Sequence, residues 1–216
     1  MRVSYCSFNN ENEIIAKVCS DRKSIEELFI HKLTLYEVIN TAIGSNTYRI
    51  FRSNAKITPS GLFKKWAFSV FGKQGDIKTK LCVDTKEQFD LFFSSICNDL
   101  LETWNRELDG MTIFRSRKMV TLLLKNFCFW EGFNKVELFT YINRVPLPLD
   151  SRTLSAIRIP YNKTGKYVIP TRPTMGFIDK EEKYIDLQNY MRDLAAKADV
   201  PVIYFDYLFF NFEEKE

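Results

Sequence analysis

The chain has 216 residues, 31 Lys and Arg against 27 Asp and Glu for a net charge of +4, and a hydrophobic share of 45%. That balance excludes a disordered or fibrous chain, and the length suits one domain or two small lobes sharing a cleft, of which two lobes are expected. A single histidine, His31, and five scattered cysteines without a CxxC pair exclude the usual zinc sites and the Ser-His-Asp triad, leaving Lys, Asp, Glu or Tyr for any catalysis.

In chain order, the start MRVSYCSFNNENE lacks the basic, apolar and small-residue pattern of a secretory leader. Nowhere do eighteen apolar residues run together. Both features predict an intracellular protein with no membrane partner, in which Cys6, Cys19, Cys82, Cys97 and Cys128 are reduced core thiols. Apolar residues at helical spacing predict helices over Ser24–Leu33, Leu35–Ile43 and Gly61–Phe71. A longer helix is expected from Thr85 to Glu107, with Phe89, Phe92, Phe93, Ile96, Leu100, Leu101 and Trp104 as its buried stripe. Asp109-Gly110 breaks it. The next apolar run begins near Ser116, which sets Lys118 in the first turn of a helix that continues to Trp130.

A short helix is expected over Lys135–Asn143, then an extended Pro146-Leu147-Pro148-Leu149, then a helix start with Asp150 or Ser151 as N-cap. Residues 158–178 hold Pro160, Pro170, Pro173, Gly165 and Gly176 and read as a long connection with a short strand at Lys166–Ile169. A helix from Asp179 to Ala198 follows, and Pro201 fits the first position of a last helix through Tyr204, Leu208 and Phe209. The acidic end, Glu213, Glu214 and Glu216, leaves the remainder more basic than the total, which permits a polyanionic partner.

Two residues stand out for chemistry. An amine in the first turn of a helix, flanked by Arg115 and Arg117, sits in positive potential that disfavours its protonated form, so Lys118 is a candidate nucleophile. Asp150 follows two prolines on a stiff segment, which suits a carboxylate that must stay fixed. Taken singly, the ordinary roles are a solvated surface lysine and an N-cap aspartate.

The runs KMVTLLLKNF, VPLPLDSR and YMRDLAAKADVPVIYFDYLFF, in that order, resemble the archaeal GO glycosylase family, the 8-oxoguanine N-glycosylase/DNA lyases of the helix-hairpin-helix superfamily. The likeness spans roughly residues 110 to 212. It implies a mostly α, two-lobed helix-hairpin-helix DNA glycosylase-like fold with a cleft, divided as an N-terminal helical lobe over 1–110 and a catalytic segment over 111–216. It further implies Lys118 as the Schiff-base lysine, Asp150 as the catalytic carboxylate, Asp206 as a base-recognising carboxylate, and Pro148 and Leu149 lining the base pocket.

The chain departs from the family at Leu122, where a base-stacking phenylalanine is usual, and at Phe210, where a tryptophan is usual. Only Gly110 remains of the superfamily's Gly-x-Gly hairpin. Trp66 is either a pocket tryptophan or a core one. The implied partner is damaged DNA with the target base flipped out, bound by a monomer without cofactor or metal. Arg115, Arg117, Lys125, Arg152 and Arg158, with Ser116 and Ser151, are candidates for backbone contacts, as are Lys163, Lys166 and Arg172 on the long loop, although an ordinary solvated face explains each as well. The alternative is a DNA-binding protein that keeps the scaffold without the activity. A metal nuclease is disfavoured because no carboxylates cluster at metal-site spacing.

Overall fold

The computed structural model describes residues 7–51, 57–72 and 74–211, with the backbone alone at 74, 75 and 211; Cys6 and the three glutamates of the acidic end lie outside the described residues. The chain is mostly helical, as expected, and the described residues contain no strand. The helices are α1 (Glu11–Leu28), α2 (Leu35–Thr41), α3 (Ser45–Tyr48), α4 (Pro59–Phe71), α5 (Gln74–Leu81), α6 (Lys86–Glu107), α7 (Ile113–Phe127), α8 (Lys135–Ile142), α9 (Ser151–Thr164), α10 (Glu181–Ala198) and α11 (Tyr204–Asn211), with one 3-10 turn at Met175–Phe177. Among the described residues no helix is long and apolar enough to cross a membrane.

Contacts divide the chain into two compact units, one made of residues 1–30 with 145–216 and the other of residues 31–144. The division does not fall at residue 110. Helices α6 and α7, on either side of Gly110, pack on each other within the second unit.

In the first unit α1 packs on α10 and α11, and α11 on α9. Helix α1 starts well before the expected Ser24 and stops short of Leu33. Its first turn is set by Asn10, whose side chain accepts from the Glu13 N–H at 3.0 Å. Ile14, Val18 and Ile25 then bury one narrow stripe on an otherwise polar helix. So sparse a stripe gives little periodic signal, which is why residues 11–23 do not read as helix.

Helix α9 corrects the loop expected from residue 158, since it runs through Pro160 to Thr164. Proline has no N–H for the carbonyl four residues back, here that of the fully buried Ala156. That carbonyl instead accepts from the Phe8 N–H at 3.3 Å, so a residue distant in sequence satisfies the group that Pro160 orphans. The strand expected at Lys166–Ile169 is absent. Ile169 instead exchanges two hydrogen bonds with the Asn162 side chain, at 2.8 and 2.9 Å. Pro201 is not the first residue of the last helix either, because its carbonyl opens a tight entry by accepting from Tyr204 N at 3.0 Å, and α11 begins only there.

In the second unit α6 packs on α4 and α7, and α2 on α4 and α7. Phe63, Trp66, Phe71, Phe89, Trp104 and Phe127 are buried in its core. Helices α3 and α5 were not foreseen; each is short, and four to eight residues show too few turns for a period. Cys97 and Cys128 are buried thiols, and burial pushes the Cys128 thiol up to about 12. Cys19 is exposed, so the core-thiol reading does not extend to it.

Candidate functional site

Val145 to Leu149 form an extended segment buried at every position. The prolines at 146 and 148 keep it out of helix, and Asp150 then opens α9 as its N-cap, with Oδ1 accepting from Arg152 N at 2.9 Å and Thr153 N at 3.1 Å. The carboxylate is half-buried. Behind it, the Thr153 hydroxyl donates to the Pro148 carbonyl at 2.9 Å. Pro148 and Leu149 are packed inside the unit.

The Arg152 guanidinium lies 4.3 Å from the centre of the Phe210 ring, which is 60% exposed. Asp206, one turn before Phe210 on α11, is 8% exposed. This unit therefore groups Pro148, Leu149, Asp150 and Arg152 with Phe210, and Asp206 lies on the same helix as Phe210.

In the second unit, α6 and α7 pack on each other and are joined by a short turn through Gly110. Leu108 ends α6 with its N–H on the Trp104 carbonyl at 2.7 Å, and Gly110 takes φ +89°, the left-handed region that glycine enters without strain. The Asn105 side chain brackets Met111 from both sides at 3.3 Å. Thr112 caps α7 by accepting from Arg115 N at 3.3 Å. Arg115 turns its guanidinium back to the Gly110 carbonyl and lies over Phe51, and Arg117 lies over Phe114.

Helix α7 starts three residues before Ser116, which makes Lys118 its sixth residue and corrects the first-turn placement. The favourable potential of a helix start falls away within one turn, so that reason for a reactive Lys118 does not apply. Lys118 is half-buried, as are Leu122 and Lys125 further along the helix. Ser116 is fully buried and donates its hydroxyl to the Cys97 carbonyl of α6, so it joins the two helices and is not a phosphate contact. Asn126 ties the end of α7 to α2 through the Val38 carbonyl at 2.7 Å and Thr41 Oγ1 at 3.0 Å.

Trp66 takes the core alternative. It is 2% exposed, its indole N–H donates to Asp99 Oδ2 at 2.7 Å, and it packs beside Phe63. Lys118 and Asp150 belong to different units.

Among the described residues, two concavities can each be assigned to a single unit. One of about 600 Å³ is lined by Tyr161, Asp186, Tyr190 and Lys197 among others, and one of about 500 Å³ by Tyr48, Arg49, Ser60 and Lys64 among others. Neither lining includes Lys118 or Asp150.

Gln188 is the residue that sequence reasoning missed. It is 2% exposed on α10, where Leu187, Met191, Leu194, Ala195 and Ala198 form the buried stripe. An amide within an apolar stripe was the available signal. No family model, curated protein or solved structure matches this chain.

Proposed function

We propose that the chain is a bifunctional DNA glycosylase/AP lyase that excises an oxidised purine, with 8-oxoguanine the substrate named by the family resemblance. The helix-hairpin-helix reading of the whole fold belongs to this proposal. The observation that carries it is the fixed carboxylate of Asp150, held by two backbone N–H groups at the end of a buried, proline-stiffened segment. The α6–Gly110–α7 hairpin ahead of Lys118 adds support.

In this reaction the target nucleotide leaves the stack. The neutral Lys118 amine forms a bond to C1′ of the sugar while the glycosidic bond breaks, and its electron pair leaves with the base, which takes up a proton. The amine then loses a proton and the sugar ring opens to an imine. Asp150 stabilises the positive charge that builds on the sugar and takes protons in these steps. Loss of a C2′ proton from the imine expels the 3′ phosphate and nicks the strand. The proposal requires the amine and the carboxylate to act on one sugar.

Borohydride reduces the imine to a stable amine, so mixing the protein, borohydride and a duplex with one 8-oxoguanine or abasic site is expected to yield a covalent adduct. Lys118→Ala should abolish it, and Asp150→Asn should slow it by at least about a hundredfold, the lower end of what positioned acid–base groups contribute. An adduct that persists in Lys118→Ala rejects the lysine.

A second reading, a DNA-binding protein on the same scaffold without catalysis, is favoured by one observation. The Arg152 guanidinium occupies a face of Phe210 on which a flipped base would stack. Duplex binding without adduct or nicking would select it.

A further inference from the structure

A buried backbone segment must find partners for its N–H and C=O groups, and the run from Val145 to Leu149 is buried throughout. Pro146 and Pro148 bring no N–H. Leu147, between them, has both its backbone groups met by one side chain: Gln188 Nε2 donates to the Leu147 carbonyl at 2.8 Å, and Gln188 Oε1 accepts from the Leu147 N–H at 3.4 Å. The shorter bond carries most of the hold. Gln188 thus does for one residue what a neighbouring strand would do.

One residue further on, the Pro148 carbonyl accepts from the Thr153 hydroxyl, and Thr153 N donates to Asp150 Oδ1. The segment is anchored at its middle by α10 and at its end by the first turn of α9. Capping α9 needs none of this, since the Arg152 and Thr153 N–H groups already satisfy the cap. A mere connection could run over the surface and give its polar groups to water. This one is buried, stiffened by two prolines and held from two helices, and at position 188 a leucine would add more to the apolar stripe than an amide does.

We propose that Gln188 is a positioning residue for the Asp150 carboxylate, acting through Leu147 and supported by Thr153. The inference rests on the base-excision reading above. Gln188 touches no substrate; it sets where the carboxylate stands relative to the sugar. A catalytic group has to be held within about 0.5 Å of its productive place, and two prolines alone leave the segment free to tilt as a rigid piece.

The test uses the full chain and a duplex with one abasic site, with strand nicking and borohydride adduct as readouts. Gln188→Met keeps the length and the packing and removes both bonds to Leu147. Thr153→Val keeps the backbone cap and removes only the hydroxyl. With each variant folded by circular dichroism at the assay temperature, kcat is expected to fall about tenfold with KM within twofold of wild type, a fraction of the hundredfold that a misplacement of about 1 Å can cost. A merely structural role would lower the melting temperature and leave kcat per folded molecule unchanged. That result overturns the inference, and so does a rise in KM at unchanged kcat. Should one variant fail to fold, the other decides. If wild type itself forms no adduct, the base-excision reading falls and takes this inference with it; if wild type forms the adduct and the folded variants match it, only this inference falls.

Discussion

At Gly165 the chain crosses directly over the ring of Tyr161, where a Cβ would stand 2.4 Å from Cζ and 2.6 Å from both Cε atoms. The ring is held in place by its surroundings, since Tyr161 is fully buried and its hydroxyl donates to Asp186. Burial first, then that hydrogen bond and the Asp186 charge, raise the Tyr161 phenol above its ordinary range. Gly165→Ala is therefore expected to destabilise the protein by about 1–3 kcal/mol, seen as a lower urea midpoint at unchanged slope. An unchanged midpoint would mean that the ring shifts freely. The same contrast between identity and environment decided other positions. For Trp66 the sequence allows two roles, and the environment selects the core one: its indole N–H donates to Asp99 and its ring is buried. Lys118 was legible as a residue, whereas its turn within α7 was not, because the N-cap is Thr112 and no apolar period marks residues 113–115 strongly.

Helix starts were the most legible elements wherever side chain and backbone exchange bonds. Thr34 with Glu37, Thr85 with Gln88, and Asn134 with Glu137 each form a capping box, and α2, α6 and α8 begin where patterning placed them, within about two residues. At α8 the cap also carries a charge pair, Lys78 Nζ to Glu137 Oε2 at 2.9 Å. The Lys78 hydrogen bond first, then the Asn134 N–H, hold the Glu137 carboxyl below its ordinary range. A carboxyl depressed on folding adds stability above its unfolded value, about 4.3, and that contribution is lost as the pH falls through the folded value. The urea midpoint is thus expected to drop between pH 5 and pH 3, with Glu137→Gln removing part of the drop. Glu37, Glu87 and Asp179 are shifted in the same direction and account for more of it. The share from Glu137 is small, because both partners reach solvent and such pairs are screened. A variant with the full wild-type drop would remove Glu137 from this account. Helix α9 was legible at its start and not at its end, since a proline inside a helix is tolerated only when some other group takes the orphaned carbonyl.

On the scale of the whole molecule, one unit is assembled from both parts of the chain that flank the other. Phe8 is where the early part enters that unit's core: it is 6% exposed, its ring centre lies 6.0 Å from that of Phe209, and its N–H is the one on Ala156. Phe8→Ala is expected to cost about 3–5 kcal/mol, as for other buried phenylalanines. Hydrogen exchange should then quicken in residues 151–164 and 204–211 while residues 86–127 keep their protection, as for separate cooperative units. Equal loss of protection in both units would show one cooperative body instead.

By itself the sequence determined the helical class, the long α6 and most of its buried stripe, the break at Gly110 and the stiff segment before Asp150, and it narrowed the N-cap of α9 to Asp150 or Ser151. These follow from local rules, namely period, proline geometry and capping, which act over a few neighbouring residues. Only the tertiary structure decided that Pro160 stays inside a helix, that Ser116 and Trp66 belong to the core, that residues 1–30 join residues 145–216, and that a buried amide at position 188 holds the buried run leading to Asp150. Each depends on a partner far away in the chain, and no local pattern encodes which distant group will supply a hydrogen bond or cover a ring.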